Sequence, residues 1–344
     1  MAVNPQLPLI PNPDFIMPRD LFQLIESNPF IIGDGAMGTM LQQKGLTSGG
    51  APELWNVERP DVIRQIYQGY VDAGSQIIET NTFGGTRYRL GLHNLQDRVH
   101  ELNYAGAALA REVAGDDVLV AGSMGPTGEL MQPMGELTYE TAVEAFAEQA
   151  AALAEGGVDF FLIETMSDLN EVKAAVAACR QVSDRPIAAT LTFDTNYHTM
   201  MGVSPAQAMQ ELAAFGVKII GANCGNGPEE TRRAIQEMAA VRPEGVYLMA
   251  QSNAGLPHIE HGSIHYDGTP EVMAELALDL AGMGVDIIGA CCGSTPEHIK
   301  AMREALLTQP IPEFKLELPP AHPAPAPQRE RRERRRGRRR RREE

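Results

Sequence analysis

The chain has 344 residues, 43% of them hydrophobic and 22% charged. That is room for one large barrel or two ordinary domains with a core that needs no disulfides. Four cysteines are too few for a secreted disulfide scaffold. The first residues show no basic-then-apolar leader pattern, and no run approaches 20 apolar residues, so a reducing cytoplasm is the expected location and a membrane span is not expected. The formal net charge is −16, although the stretch from Arg329 to the end carries 11 Arg against 4 Glu. The remainder is therefore more acidic than the total, which argues against nucleic acid as its main ligand.

Residues 1–20 read as an N-terminal extension. From there a rhythm recurs eight times: a short apolar run, a Gly or polar turn, then an amphipathic stretch. The runs are FII (30–32), QIIE (76–79), VLVAG (118–122), DFFLIE (159–164), PIAATLTF (186–193), VKIIGAN (217–223), VYLMAQ (246–251) and VDIIGA (285–290). Runs that are continuously apolar rather than alternating belong to strands buried on both faces. Between them, Val62, Ile63, Ile66, Tyr67, Tyr70 and Val71 follow helical spacing. Thr269-Pro270 and Thr295-Pro296 offer helix N-caps with Pro in the first turn. Eight strands alternating with helices predict an α/β fold, a (β/α)8 TIM barrel over residues 21–312; the strand count disfavours a doubly wound open sheet. Residues 313–344, Pro-rich and then Arg-rich, read as a disordered tail. Arginine tracts can bind phosphate polymers or an acidic partner, but this one has no aromatic residues interleaved for base stacking.

In such a barrel the chemistry sits at the carboxyl ends of the strands. Asp34 follows the first run in GDGAMGT; Glu79, Asn81 and Thr82 follow the second. Glu164 ends the fourth and Asp194 the fifth, Cys224 follows the sixth in GANCGNG, Asn253 the seventh, and Cys291 and Cys292 the eighth in GACCGSTP. Three thiols at one rim make a soft metal site, and three ligands leave zinc one open position for a substrate. Both adjacent cysteines can reach one metal only if the backbone turns there, which Gly289 and Gly293 permit. Cys179 lies on a predicted helix and reads as core. His258, His261 and His265 have ligand-like spacing, but a solvated loop is the better reading of that segment.

The segments GDGAMGTML, ETNTFGG, GSMGPTGE, LIETMSDLNEVKAA, GANCGNGPEE, SNAGLP and GACCGSTPEHI resemble the homocysteine S-methyltransferase family, most of all the homocysteine-binding barrel of cobalamin-dependent methionine synthase. The resemblance covers roughly residues 20–308. It implies zinc-dependent methyl transfer to the thiol of homocysteine, giving methionine. It implies that Cys224, Cys291 and Cys292 are the zinc ligands, that Asn253 takes the fourth place without substrate, that Asp34 and Glu164 hold the homocysteine amino group, and that backbone around Gly35 meets the carboxylate. The chain has one barrel and no D-x-H-x-x-G corrinoid pattern, so methylcobalamin on a separate corrinoid protein is the expected methyl donor. A small sulfonium or betaine-type donor in the barrel mouth is the alternative. A cationic donor wants an aromatic cage, and the one tryptophan, Trp55, is in the first insertion.

Overall fold

The computed structural model describes residues 20–314 except 48, 261 and 262. The expected N-terminal extension and the Pro- and Arg-rich tail therefore lie almost wholly outside the described residues. Ten strands form: β1 (Ile31–Ile32), β2 (Ile77–Glu79), β3 (Leu119–Met124), β4 (Phe160–Met166), β5 (Ile187–Leu191), β6 (Ile219–Cys224), β7 (Tyr247–Ser252), β8 (Pro257–Glu260), β9 (Ser263–Tyr266) and β10 (Ile287–Ala290). Twelve α-helices accompany them: α1 (Leu21–Ser27), α2 (Gly38–Gln43), α3 (Trp55–Glu58), α4 (Pro60–Ala73), α5 (Arg87–Gly91), α6 (Val99–Ala114), α7 (Tyr139–Gly156), α8 (Leu169–Val182), α9 (Pro205–Ala214), α10 (Pro228–Ala240), α11 (Pro270–Gly282) and α12 (Pro296–Thr308).

All eight expected apolar runs are strands of one parallel sheet, in the order β1-β10-β7-β6-β5-β4-β3-β2. Neighbours follow chain order around a ring, which is the order of a (β/α)8 barrel and not of a doubly wound sheet. Closure between β1 and β2 rests on one residue. The Gln76 N–H donates to Ile32 O at 2.7 Å, and its side-chain Oε1 accepts from the Ile32 N–H at 3.1 Å.

Successive strand residues face opposite sides, and here that alternation separates two cores. Ile32, Ile78, Val120, Phe161, Ile220, Leu248 and Ile288 pack outward in a large cluster with the helices. Ile31, Ile77, Leu119, Phe160, Leu162, Ile219, Met249 and Ile287 fill the barrel interior. Leu21, Leu24 and Ile25 of α1 join that interior cluster, so α1 plugs the end of the barrel where the strands start. Asp20 caps α1 by accepting from the N–H groups of Phe22 and Gln23. At the other end of the chain, Phe314 packs against the outer core.

The predicted helix starts hold in detail. The Thr269 hydroxyl accepts from Val272 N, and the Thr295 N–H donates to His298 Nδ1 at 3.1 Å. The segment after β7 differs from expectation. Instead of an irregular loop it is an antiparallel hairpin, β8–β9, in which His258 pairs with His265. The residues alternate across its two strands, the signature of period-two structure rather than of a loop. Both histidines are exposed, and His261 lies outside the described residues.

The α1 plug can be tested directly. Leu24→Ala removes a side chain buried in the interior cluster and should cost about 2–5 kcal/mol. Urea unfolding followed by the fluorescence of Trp55, the only tryptophan, measures it. A loss below about 0.5 kcal/mol would mean that α1 is not part of the core.

Candidate active site at the barrel mouth

Above the apolar interior layer, the same inward parity places a polar one. Glu79 follows Ile77 inward, Ser123 follows Ala121, Glu164 follows Leu162, Asn223 follows Gly221 and Gln251 follows Met249. Asp34 joins them from the turn after β1. Three carboxyl groups thus share one buried space: Asp34, Glu79 and Glu164. Asp34 Oδ2 accepts the Glu79 N–H at 2.8 Å. Gln251 donates to the Glu79 carboxyl, and the Ser123 hydroxyl to that of Glu164.

Burial pushes Asp34 up to about 8, and the charge of Glu164 adds to the shift. Burial pushes Glu164 up to about 7 against the Ser123 hydrogen bond. Glu79 is raised by burial and then by the charges of Glu164 and Asp34. Among the described buried polar atoms, Asp34 Oδ1, Gln251 Oε1 and Asn253 Oδ1 have no protein partner. Acceptors left open beside carboxyls that repel one another suit a bound cation with several donors, such as an ammonium group.

The turn that carries Asp34 is held by its neighbours. The Ala36 N–H donates to Ser294 Oγ at 3.0 Å, and the Tyr70 hydroxyl donates to Ala36 O at 2.7 Å. A Cβ at Gly35 would stand 2.5 Å from Ser294 Oγ, so only glycine fits.

The three rim cysteines meet beside this layer. Cys224 Sγ lies 3.1 Å from Cys291 Sγ and 4.0 Å from Cys292 Sγ, and all three lie within 4.8 Å of one another. Zinc with Zn–S bonds of about 2.3 Å in tetrahedral geometry sets sulfurs about 3.8 Å apart, so the trio fits one zinc ion. Among the described residues no other group of His, Cys, Asp or Glu meets that geometry. Cys292 is held well below the usual thiol range by hydrogen bonds from Cys224 and Cys291. Cys291 is raised by the same contacts and by burial. The cluster thus favours a thiolate before any metal arrives.

Local backbone explains the convergence. Cys224 ends β6 in the left-handed region, φ 60°, and Gly225 and Gly227 follow with positive φ. A non-glycine residue held there costs about 1–3 kcal/mol and marks a built site. Cys291 leaves the ladder, its N–H donating to Ser252 O at 2.7 Å, and Gly293 turns with φ +82°. Gly293 is the turn expected from the sequence. Gly289 serves differently, as an ordinary strand position where a Cβ would stand 3.0 Å from Asp34 O. Asn253 is tied to both cysteine loops. Its Nδ2 donates to Gly225 O at 2.6 Å, and the next residue's N–H donates to Cys292 O at 2.9 Å.

The structure therefore brings together Asp34, Gly35, Glu164, Cys224, Asn253, Cys291 and Cys292. Cys179 stays apart, fully buried in α8 with its thiol pushed up by burial. Asp194 is exposed and its carboxylate bonds to the Thr195 hydroxyl. Three residues of the site were not singled out from the sequence as binding residues. Glu79 and Asn223 were legible from strand parity. Tyr266, on the unexpected hairpin, hydrogen-bonds Cys292 and was not.

The carboxyl layer gives the ligand-free protein a pH signature. Carboxyls that ionise near pH 4 when unfolded stay protonated in the fold up to about 7 (Glu164) and 8 (Asp34). The native state then binds more protons than the unfolded state, so stability is full below about pH 4 and falls as pH rises to about 8. Glu164→Gln should flatten the part of that fall between about pH 5 and 7. Thermal unfolding across this range measures it, and an unchanged slope would mean that Glu164 is ionised throughout.

Comparison with known proteins agrees with the geometry. The family model for homocysteine S-methyltransferase matches residues 31–306. Methionine synthase of Mycobacterium tuberculosis (strain ATCC 25618 / H37Rv) is 34% identical over 321 residues, which is 88% of this chain and 26% of that protein. The Mycobacterium leprae (strain TN) methionine synthase is 33% identical over 294 residues, 80% of this chain and 24% of its own. The chain thus spans about a quarter of the length of these curated relatives. The metallated form of the Escherichia coli homocysteine methyltransferase MmuM superposes with a TM-score of 0.69 at 24% identity, over 83% of this chain and 99% of that one, a likeness of fold. The chain belongs to the homocysteine S-methyltransferase family.

Proposed function

We propose that this barrel transfers a methyl group to the thiol of homocysteine, giving methionine. One observation carries the reading: a thiol cluster suited to zinc lies beside a buried carboxyl layer with an open acceptor. Such a site takes a ligand with a thiol at one end and an ammonium at the other. Cys224, Cys291 and Cys292 would hold zinc, and when bound the metal ionises the substrate thiol while leaving it nucleophilic. Asp34 and Glu164 accept hydrogen bonds from the ammonium group, and the backbone at Gly35 meets the carboxylate. Asn253 Oδ1, buried and unpartnered, suits the fourth place when substrate is absent. The helix-lined, plugged barrel keeps water from the reacting sulfur.

For the donor, methylcobalamin on a separate corrinoid protein fits best. Leu92, Leu130, Met134, Met200 and Leu256 are all exposed. Each lies on a segment following the carboxyl end of β2, β3, β5 or β7, at the rim that surrounds the site. Large apolar side chains ringing an active-site mouth suit a protein carrier. A small cationic donor has less support: the face of Trp55 is already covered by Arg59, 4.6 Å from the ring centroid. Among the described residues no helix is long and apolar enough to cross a membrane, and a cytoplasmic location accords with the reduced thiols. The tail, residues 315–344, is read as a separate segment that leaves the barrel's folding and zinc content unchanged when removed.

Purified protein should hold about one zinc per chain. Alanine at Cys224, Cys291 or Cys292 should abolish tight zinc binding and methyl transfer, while Cys179→Ala should spare both. Full zinc in all three rim variants would sink the site. Homocysteine binding should also release a proton, seen as a buffer-dependent enthalpy in calorimetry. Assays with methylcobalamin, a sulfonium and a betaine decide the donor. Transfer only from the small cationic donors would overturn the corrinoid assignment.

A further inference from the structure

One side chain connects the two halves of the site. Asn223 is buried at the end of β6, next in the chain to Cys224. Its Oδ1 accepts the Thr165 N–H at 2.8 Å and the Thr190 hydroxyl at 2.8 Å. Its Nδ2 donates to Thr165 Oγ1 at 2.7 Å and to Glu164 Oε2 at 3.3 Å. Its backbone O accepts the Thr192 hydroxyl at 3.0 Å. Because a backbone N–H can only donate, the amide oxygen must face Thr165 N. The NH2 edge is therefore the one turned to Glu164, and the orientation of the amide has a single solution.

These contacts span three strands. Thr165 lies on β4, Thr190 on β5 and Asn223 on β6. Thr165 is itself left-handed, φ 59°, where the register of β4 against β5 shifts between Ile163 and Met166. Cys224 is left-handed too, φ 60°. Two strained residues, one following the ammonium-binding carboxyl and the other carrying a metal thiol, are thus joined through one amide. Strain of this kind persists only where the surroundings over-determine it, and Asn223 supplies fixed bonds on both sides.

We infer that Asn223 is a positioning residue and the ruler of the site, setting the span between Glu164 and the thiol cluster and hence the length of amino-acid thiol accepted. The inference rests on the proposed function. A substrate held at the sulfur and at the ammonium must bridge that span with its methylenes. Homocysteine has two between the sulfur and Cα, and cysteine has one. A rigid span should reject the shorter thiol by at least about tenfold, the effect of one methylene in a shaped pocket. With the clasp released, Glu164 can swing toward the metal and meet a shorter ligand.

The test uses full-length, zinc-loaded protein and titrates homocysteine and cysteine separately by calorimetry, with zinc content and thermal unfolding measured on every sample. Wild type should prefer homocysteine by about tenfold or more. Asn223→Ala should weaken homocysteine about tenfold, the loss of a hydrogen bond to a charged group. Cysteine should weaken little, so the ratio falls toward parity while zinc is retained. Thr190→Val keeps the shape and the asparagine and removes only the hydroxyl that fixes it. This variant should lower the ratio in the same direction by a smaller factor, and it decides the matter if Asn223→Ala loses zinc or unfolds. An unchanged ratio in a folded, zinc-loaded variant overturns the ruler. A wild-type protein that binds neither thiol overturns the proposed function itself, and with it this inference, before any variant is made.

Discussion

Like charges buried together dominate this molecule. Three carboxyls and three thiols are brought within one small space at the mouth of an apolar barrel, far more potential negative charge than that environment can hold ionised. Left to itself the site responds by keeping protons: the carboxyls stay protonated toward neutral pH, and the thiols share one thiolate among three sulfurs. A divalent metal and an ammonium group are the two cations that relieve the two halves of the problem. Affinity for each is therefore written into the unliganded state as an unmet electrostatic demand. The cost is carried by the rest of the fold, through the interior cluster beneath and the outer core around it.

The barrel meets that cost by dividing labour along each strand. The first inward residue is apolar and packs on α1, and the next inward residue is polar and faces the mouth. Ile77 and Glu79 on β2, Leu162 and Glu164 on β4, and Met249 and Gln251 on β7 repeat the pattern. Two residues of strand separate a dry core from a reactive one. Backbone strain is confined to the strand ends, at Thr165 and Cys224, where hydrogen bonds from Asn223 and the neighbouring loops hold it.

Much of this was legible in the sequence. The eight apolar runs gave the strands because both faces of a barrel strand are buried and the runs are continuous. Three cysteines at strand ends gave the metal cluster, since chain order and strand ends alone place them on one rim. Gly293 was readable as a turn because two adjacent cysteines cannot face one point from a regular strand. Other features were hidden for physical reasons. The role of Glu79 depends on which parity of β2 faces inward, and a run apolar on both faces conceals that. The hairpin β8–β9 was masked by its polar composition. The contact of Tyr266 with Cys292 depends on how that hairpin folds back over the rim, which no local pattern encodes. The clasp of Asn223 needed the lateral order of β4, β5 and β6.

The plug formed by α1 has a consequence for traffic. With one end of the barrel sealed by Leu21, Leu24 and Ile25, the chamber has a single door, and the rim that surrounds the door is also where a carrier protein would sit. Reactant and product must then use the same opening that the methyl carrier covers. The amino acid has to be inside before the carrier arrives, and the methylated product can leave only after the carrier departs. A barrel sealed at its base thereby turns a two-substrate reaction into a queue, with the order of arrival set by architecture rather than by relative affinity.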